Sequence, residues 1–263
     1  MLTVIFLGDV VGEPGRQVVK RSIPVLKEQY APDFIIVNGE NAAGGQGITG
    51  RITYELLQAG VDVITLGDHA WDQREIMTFF QQEPRLLRPA NFPPGAPGAG
   101  HIVVSGNGKK LGVACALGRT FMEPVVENPF LIIPPILQEI RNETLAILVD
   151  FHTETTSEKI AFGRAVDGLA SVVVGTHTHV QTADEKILPQ GTAYITDVGF
   201  CGGHDSVIGR DVEGVITKYR TSLPTKFHIA TTGLQADGFC VRIDETTGKA
   251  ISCERIQHPV HIT

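Results

Sequence analysis

Residues 172–179, VVVGTHTH, place a run of valines directly before two histidines. The same arrangement, an apolar run that leads into residue types able to bind metal, recurs as VIFLGD at 4–9, FIIVNGEN at 34–41, VITLGDH at 63–69 and AILVDFH at 146–152. Continuous apolar runs of this length are typical of strands that are buried on both faces, as in a sheet covered by helices. The five runs therefore predict buried strands.

Helix-compatible segments lie between several of these strands. The predicted strands cover residues 3–7, 34–37, 61–66, 145–149 and 171–174, and the predicted helices cover residues 16–29, 51–59, 73–82, 135–141 and 157–166. Pro14 can open the first helix, and Pro24 is a candidate for a kink within it. The alternation of strands and helices predicts an α/β layered fold.

The remaining segments are irregular or antiparallel. Residues 88–100, RPANFPPGAPGAG, are too rich in Pro and Gly for a regular element and predict an ordered loop. A hairpin with the turn SGNGKK is expected between 101–104 and 111–117, and closing antiparallel strands are expected within 228–256. Because no repeat or linker is recognisable, residues 1–263 are expected to form one domain.

The composition is that of an ordinary globular protein, with 42% hydrophobic and 19% charged residues. The 22 Lys and Arg residues against 29 Asp and Glu residues give a formal net charge of −7, which repels polyanions at long range. Stable binding to nucleic acid or to an anionic membrane is therefore not expected. A small phosphate compound remains compatible with this charge, and homo-oligomerisation stays open.

The N-terminal apolar run has no basic leader and is interrupted by Asp9, which fits neither a signal peptide nor a membrane span. The protein is therefore expected in the cytoplasm. The cysteines, Cys115, Cys201, Cys240 and Cys253, form no CxxC pair and are expected to be free thiols. Because neither a GxSxG elbow nor a nucleophilic cysteine signature is present, a water nucleophile is favoured over a covalent one.

The polar residues at the ends of the five predicted strands are the main functional signal. Each alone has an ordinary explanation, such as an Asp that caps a turn or a His that bonds to backbone. In α/β sheets, however, ligands bind outside the carboxyl ends of the strands, so residues far apart in sequence meet at one rim. Five such ends together predict a single site, with the candidate ligands Asp9, Glu40, Asn41, Asp68, His152, His177 and His179.

The types of ligand indicate the kind of ion. Carboxylate, amide and imidazole groups without thiolate suit Mn, Fe or Zn, and they exclude a cysteine-rich structural zinc site. His177 and His179 are two residues apart, so an extended backbone would send both rings to the same side. Seven ligands are too many for one tetrahedral ion. They suit two ions about 3.5–4 Å apart that share a bridging carboxylate, a site that holds an attacking hydroxide and offsets phosphoryl charge.

The motifs GDVVG (8–12), NGEN (38–41), GDHAWD (67–72), DFH (150–152) and GTHTH (175–179) together resemble those of calcineurin-like metallophosphoesterases, specifically the YmdB-like bacterial branch. The resemblance extends to the segments RPANFP, HTETTSEK, THTHVQTAD and GTAYITDVG, so it covers nearly the whole chain except its C-terminal end. It implies a four-layer α/β/β/α sandwich in which two sheets lie between helices.

The resemblance also implies an activity, the hydrolysis of small phosphodiesters such as 2′,3′-cyclic or 3′,5′-cyclic AMP. Two metal ions per chain are implied, with iron first and Mn or Zn as alternatives. By family likeness, one ion is held by Asp9, Glu40, Asn41 and His179, and the other by Glu40, Asp68, His152 and His177, with Glu40 as the bridge. His69 corresponds to the family's proton donor, which protonates the leaving oxygen as the P–O bond breaks.

The chain departs from the family pattern at Asp68, because the motif normally reads GNH and supplies a neutral amide. A carboxylate can still bind a metal ion, but it adds negative charge beside the ion and disfavours an incoming phosphate. Because of Asp68, a metal-binding regulatory protein with weak or no turnover stays open as an alternative. A phosphomonoesterase is a separate alternative that does not depend on Asp68.

Several other residues carry a weaker signal. The glycine-rich segment AGGQGITG at 43–50 lacks the ending of a P-loop and is expected to be a rim loop without direct phosphate contact. Asp72, three residues after His69, is a candidate for orienting that imidazole, which could otherwise be a further metal ligand or a packed ring. Residues that either line the substrate pocket or belong to the core or a turn are Trp71, Asn91, Phe92 and His204.

Overall fold

A computed structural model of the chain describes residues 1–261. The strands are β1 (Leu2–Leu7), β2 (Asp9–Val10), β3 (Phe34–Asn38), β4 (Val63–Thr65), β5 (Leu86–Leu87), β6 (His101–Gly106), β7 (Lys109–Leu117), β8 (Ile147–His152), β9 (Val172–Thr176), β10 (Lys186–Ile187), β11 (Ala193–Ile195), β12 (Phe200–Gly203), β13 (Leu234–Asp244) and β14 (Lys249–Pro259). The α-helices are α1 (Gly12–Tyr30), α2 (Gly50–Gln58), α3 (Ile76–Phe79), α4 (Pro129–Ile140), α5 (Thr156–Ala165) and α6 (Val212–Thr221), and a 3₁₀ turn covers Asp68–Trp71. Residues 262 and 263 of the predicted domain lie outside the described part of the chain.

The strands form two sheets. The first has the order β2-β12-β13-β1-β3-β4-β5, with β14 beside β13, and its strands β1, β3, β4 and β5 are parallel. The second has the order β10-β11-β9-β8-β7-β6, and its strands β7, β8, β9 and β11 are parallel. The five strands predicted from apolar runs are confirmed, three of them in the first sheet and two in the second.

Alternation of side chains along each strand produces the layers, because successive residues of a strand point to opposite faces. Val4 and Phe6 of β1 lie in a core between the two sheets, together with Val113 of β7 and Val174 of β9. Ile5 of β1 points the other way and belongs to a second core, under α1. The two sheets therefore pack face to face through apolar side chains.

Helices cover the outer face of each sheet. Helix α1 buries Val18, Ile23 and Leu26 against the first sheet. On the second sheet, α4 buries Leu137 and α5 buries Phe162. Fully burying an apolar side chain of this size contributes roughly 1.5–3 kcal/mol. The result is the four-layer α/β/β/α sandwich that the resemblance implied, with one core between each pair of layers.

The helix predicted at residues 73–82 is mostly wrong, since only Ile76–Phe79 is α-helical. The Ile76 and Thr78 N–H groups donate to carbonyls three residues earlier, which is the tighter spacing of a 3₁₀ helix. Glu75 is also engaged elsewhere, because its Oε1 accepts a hydrogen bond from the Gly50 N–H at the start of α2. Residues 73–82 therefore pack around the start of α2 instead of forming one continuous helix.

The other predicted helices are confirmed with shifted ends, and α1 continues past Pro24, which lies on its exposed side. The predicted hairpin consists of β6 and β7, and its turn is only Asn107 and Gly108, both with positive φ. The closing strands are β13 and β14, and all four cysteines are free. The sequence did not predict the strands β2, β5, β10, β11 and β12 or the helix α6. Within residues 1–261, no helix combines the length and apolar character needed to cross a bilayer.

Candidate metal centre

Side chains from both sheets converge on one cluster. Glu40 follows β3 and Asp68 follows β4 in the first sheet, while His152 ends β8 and His177 follows β9 in the second. Each residue offers one ligand atom, and these four atoms lie within 4.8 Å of one another. The expected convergence therefore occurs, but between the strand ends of two sheets. The expectation of a single sheet rim was wrong, because the apolar strands belong to two separate sheets.

His152 lies at the centre of this cluster. Its Nε2 is 3.2 Å from Glu40 Oε1, 2.9 Å from Asp68 Oδ1 and 3.0 Å from His177 Nδ1. The close approach needs a glycine at position 67, because a Cβ on Gly67 would lie 2.2 Å from Glu40 Oε2 and 2.3 Å from His152 Cδ2. A side chain at that position would separate the groups that meet here.

A buried hydrogen-bond chain sets the orientation of His152. Its Nδ1 is 2.9 Å from Thr176 Oγ1, and the Thr176 hydroxyl donates to Asp150 Oδ1 at 2.7 Å. Asp150 Oδ2 accepts further bonds from Thr65 Oγ1 at 2.5 Å and from Asn38 Nδ2 at 3.0 Å. Because the Thr176 proton is committed to Asp150, its oxygen accepts the proton of His152 Nδ1. The lone pair that a metal ion requires is then on Nε2, inside the cluster.

Asp9, Asn41 and His179 form a second group beside the first. His179 Nε2 is 3.2 Å from Asn41 Oδ1, while its Nδ1 donates to the Ile208 carbonyl at 3.0 Å. Asp9 Oδ2 accepts the His177 N–H at 3.2 Å, and Asn41 and His179 line the same cavity as Glu40 and His177, so the two groups adjoin. All seven candidate ligands are therefore brought together.

The turn that carries the two histidines is not extended, contrary to the expectation from their spacing. His177 has φ 102 and His179 has φ 61, a region that few non-glycine residues adopt and that costs about 1–3 kcal/mol per residue. Asp197 Oδ2 holds the turn, since it accepts the Thr178 N–H at 3.1 Å and the Thr178 hydroxyl at 2.8 Å. Asp197 is itself paired with buried Lys159 at 2.6 Å.

The electrostatics of the cluster favour a positive charge at its centre. Burial raises the pKa of Asp9 well above its usual range, although the neighbouring His152 opposes the shift. Burial lowers the pKa of His152, but the charge of Glu40 and the bond to Asp68 outweigh this and raise that pKa. Burial also opposes ionisation of Asp68, yet its bonds to His152 and His177 bring its pKa far below the ordinary value. A metal ion would supply the charge in place of the His152 proton.

The donor set fits metal ions. Asp9 Oδ1 is buried and has no hydrogen-bond partner among residues 1–261, which costs about 1–3 kcal/mol unless another partner satisfies it. Burial lowers the pKa of His179 and so favours the neutral imidazole that binds metal. Carboxylate, amide and imidazole donors without thiolate suit Fe, Mn or Zn.

His69 lies at the edge of the cluster, 30% exposed, and lines a cavity of 320 Å³. Its Nδ1 is 2.8 Å from Asp72 Oδ2, the contact expected of an orienting carboxylate. Its Nε2 is 3.9 Å from Asp68 Oδ2, and its backbone N–H donates to Glu40 Oε2 at 3.2 Å. The ring is therefore held from one side and presents Nε2 near the candidate ligands.

The four residues considered for the substrate pocket do not line this cavity. Trp71 and Phe92 are partly buried, pack against the core beneath α1 and meet edge to face, with ring centroids 5.4 Å apart. Asn91 is fully buried, and its amide donates two hydrogen bonds to backbone carbonyls. The His204 ring stacks on Phe200 at 4.1 Å. Packing roles therefore apply to Trp71, Asn91 and Phe92, whereas His204 lines a neighbouring cavity together with His179.

Two residues that line the cavity escaped sequence-based prediction. Glu154 Oε2 is 3.1 Å from His177 Nε2, so it accepts the proton there and leaves Nδ1 to face the cluster. Arg210 donates from Nη2 to the Gly45 carbonyl at 3.0 Å. Glu154 at least lies in a segment that carries the family resemblance. Arg210 offers no such signal, because its partner is 165 positions away.

Comparisons with known proteins agree with this fold and site. A family model described as "YmdB-like protein" matches residues 5–256. The 2′,3′-cyclic-nucleotide 2′-phosphodiesterase of Bacillus subtilis (strain 168) is 50% identical over 255 residues, which cover 97% of this chain and 96% of the relative. A Mycoplasma pneumoniae structure described as a novel phosphatase has a TM-score of 0.91 at 37% identity, covering 98% of this chain and 93% of that chain.

A structure described as a hypothetical protein from Thermus thermophilus has a TM-score of 0.90 at 38% identity, covering 98% of this chain and 99% of that chain. These similarities extend over nearly the full length of both partners in each pair. Together with the match of the family model, they show that the chain belongs to the YmdB-like family.

Proposed function

We propose that the protein is a binuclear metallophosphodiesterase that hydrolyses 2′,3′-cyclic nucleotides. The observation that carries the proposal is the meeting of ligand atoms from Glu40, Asp68, His152 and His177 within 4.8 Å. Beside them lies a buried oxygen of Asp9 that has no hydrogen-bond partner in the described part of the chain. The name of the 50% identical Bacillus subtilis relative supports this class of substrate.

The seven candidate ligands are proposed to hold two ions, with iron first and Mn or Zn as alternatives. One ion is assigned to Asp9, Glu40, Asn41 and His179, and the other to Glu40, Asp68, His152 and His177. When bound, such a pair of ions activates water and neutralises charge on the phosphoryl oxygens. The chain's own contribution is to orient the ligands. Thr176 accepts the proton of His152 Nδ1, and Asp197 holds the turn at Thr178 between His177 and His179.

In the proposed reaction, water adds to phosphorus and releases a proton to solvent, and the bond from phosphorus to the 2′ oxygen breaks, which yields a nucleoside 3′-phosphate. The leaving 2′ oxygen takes a proton from His69 Nε2. Asp72 accepts the Nδ1 proton at 2.8 Å, which keeps the ring oriented with Nε2 toward the leaving oxygen. General acids of this kind typically accelerate a reaction by about 100- to 10,000-fold.

The carboxylate of Asp68 favours a second candidate function. It lies 2.9 Å from His152 Nε2, within the group that would hold an ion, and it adds negative charge where a phosphate anion would also approach. A metal-binding regulatory protein with weak turnover is therefore the alternative. Competing substrates are 3′,5′-cyclic nucleotides and phosphomonoesters.

Metal analysis combined with a substrate panel tests these proposals. Protein reconstituted with Fe, Mn or Zn is expected to bind about two ions per chain. It is expected to hydrolyse 2′,3′-cyclic AMP faster than 3′,5′-cyclic AMP or 3′-AMP. Glu40→Ala is expected to empty both positions, because Glu40 serves both. Two bound ions without turnover of any ester would support the regulatory alternative, while a protein that retains no ion would contradict the site.

The role of His69 is tested by leaving-group dependence. His69→Ala is expected to slow the hydrolysis of 2′,3′-cyclic AMP by about 100-fold or more, because an alkoxide needs a proton to leave. An activated aryl phosphodiester, whose phenolate leaves without that proton, is expected to lose less than about tenfold. Equal losses on the two substrates would remove the reason for naming His69 as the donor.

A further inference from the structure

A second cavity lies beside the candidate metal centre and shares a wall with it. Ile208 and Arg210 line both cavities. The second cavity has a volume of 470 Å³, within the range of about 300–1,000 Å³ that is usual for small-molecule sites. We call it the aromatic groove, and its walls include Ile208, Arg210, Val215, Lys218, Tyr219 and Phe227.

Arg210 stands where the two cavities meet. Its guanidinium lies so close to Gly45 that a Cβ there would be 2.6 Å from both Nη atoms. Burial lowers the pKa of Arg210, and within residues 1–261 no carboxylate forms an ion pair with it to oppose that shift. Arginine keeps its charge in proteins. A half-buried cation without a counter-ion at the mouth of a phosphoesterase site is therefore suited to an anionic ligand.

The rest of the groove is apolar and aromatic. Tyr219 is 84% exposed, and Ile208 is 50% exposed, so large apolar surfaces face solvent here. Lys218 Nζ lies 5.2 Å from the centroid of the Phe227 ring, which places a second cation in the groove. Exposed rings beside cations are the arrangement that proteins use to stack nucleobases and to bind the adjoining phosphates.

We propose that the aromatic groove binds the nucleoside of the substrate, while Arg210 binds the phosphate that lies in the adjoining metal centre. The base would stack on Tyr219, whose ring is the more exposed of the two aromatic rings in the groove. Because every base has a π-face, little preference among bases is expected. The inference rests on the proposed function, since it assigns the non-reacting part of that same substrate.

Binding measurements test the groove without turnover. Calorimetry gives the affinities for 3′-AMP, inorganic phosphate and adenosine, on both the metal-loaded and the chelator-treated protein. Tyr219→Ala is expected to weaken 3′-AMP binding at least about fivefold and to leave phosphate binding unchanged, whereas Tyr219→Phe keeps the ring and the affinity. Arg210→Gln is expected to weaken both 3′-AMP and phosphate binding about tenfold. Arg220→Gln is the matched control, because it removes the same charge from exposed α6 surface that does not line the groove.

Steady-state kinetics provide a second readout. Tyr219→Ala is expected to raise the KM for 2′,3′-cyclic AMP by a larger factor than the KM for an aryl phosphodiester, which has no nucleoside and presents a smaller ring for stacking. Wild-type affinity for 3′-AMP in Tyr219→Ala, or an equal loss in Arg220→Gln, would overturn the proposal. The proposed function is tested independently of the groove, because it would be contradicted if the wild type hydrolysed no phosphodiester. In that case, weakened 3′-AMP binding in Tyr219→Ala and Arg210→Gln would still support the groove.

Discussion

Replacing Lys159 with Met tests how the turn that carries two candidate metal ligands is held. Lys159 and Asp197 are each 1% exposed, and Lys159 Nζ is 2.6 Å from Asp197 Oδ2. The same carboxylate oxygen holds Thr178, which lies between His177 and His179. The substitution keeps an apolar stem of similar length but removes the cation, so Asp197 loses its counter-ion inside the protein.

The expected destabilisation follows from the partners that Asp197 retains. Removing one member of a buried ion pair typically costs about 3–5 kcal/mol, because the remaining charge is uncompensated. Asp197 still accepts bonds from Thr178 and from the Gly199 N–H at 2.9 Å, and these bonds reduce the penalty. We therefore expect a loss near the lower limit, about 3 kcal/mol. Against a typical stability of about 5–15 kcal/mol, the variant is expected to fold.

Urea unfolding in the presence of a chelator measures this loss apart from metal binding. Lys110→Met is the matched control, because Lys110 Nζ is 4.0 Å from Glu143 Oε2 on the surface, with side chains 52% and 60% exposed. Its effect is expected to be within about 0.5 kcal/mol. The double variant Lys159→Met/Asp197→Asn removes both charges and is expected to recover more than about 1 kcal/mol relative to Lys159→Met.

Metal titration of the same proteins links the ion pair to the site. Because the strained turn loses its anchor, Lys159→Met is expected to bind metal at least about tenfold more weakly than the wild type, as loss of outer-shell partners commonly does. The reasoning about the buried charge would be refuted if Lys159→Met lowered the unfolding free energy by less than about 1 kcal/mol at an unchanged m value. It would also be refuted if the double variant were no more stable than Lys159→Met.

Three further predictions concern the centre itself. Asp68→Asn removes a charge 3.9 Å from His69 Nε2 and is expected to raise turnover of 2′,3′-cyclic AMP about tenfold, or about 1.4 kcal/mol of barrier, without tighter metal binding. Turnover is measured at saturating metal across a pH series, and a rate equal to or lower than that of the wild type would contradict the prediction. Thr176→Val removes the acceptor of the His152 proton and is expected to weaken metal binding about 10- to 100-fold. Competition with a chelator measures the metal affinity, and an unchanged affinity would contradict this role of Thr176. Stripping the metal is expected to lower the unfolding free energy by about 2.7 kcal/mol relative to protein in free metal at 100 times the Kd. Equal urea midpoints for the stripped and the metal-loaded protein would exclude a site formed only by the folded chain.

The five strands with apolar runs were predictable from the sequence, but their division between two sheets was not evident from the residues alone. Val4 faces the core between the sheets and Ile5 faces the core under α1, and both are apolar because both faces of the strand are buried. A run of this kind has no period of two. It therefore indicates burial without showing which neighbour covers each face. The family resemblance supplied the four layers, because it depends on motifs along the whole chain.

The missed elements lack the local signals on which such predictions depend. β12 reads FCGG, and glycine is depleted in strands, yet a Cβ on Gly203 would lie 2.6 Å from the Ala230 carbonyl. The element is a strand because β13 and β2 pair with it. Helix α6 contains Gly214 and several β-branched residues, and its start depends on Asp211, whose side chain accepts the Gly214 N–H at 2.8 Å.

The candidate ligands and the residues that support them differ in the same way. The ligands follow apolar runs, so their convergence could be inferred from the positions of strand ends. Lys159 instead resembles any lysine on the surface of a helix, but it is buried and pairs with Asp197, which lies 38 positions away. The positive φ values of His177 and His179 are equally absent from the sequence pattern and require compensation by contacts of this kind. Substitutions at sites remote in sequence should therefore alter metal binding while every ligand remains in place.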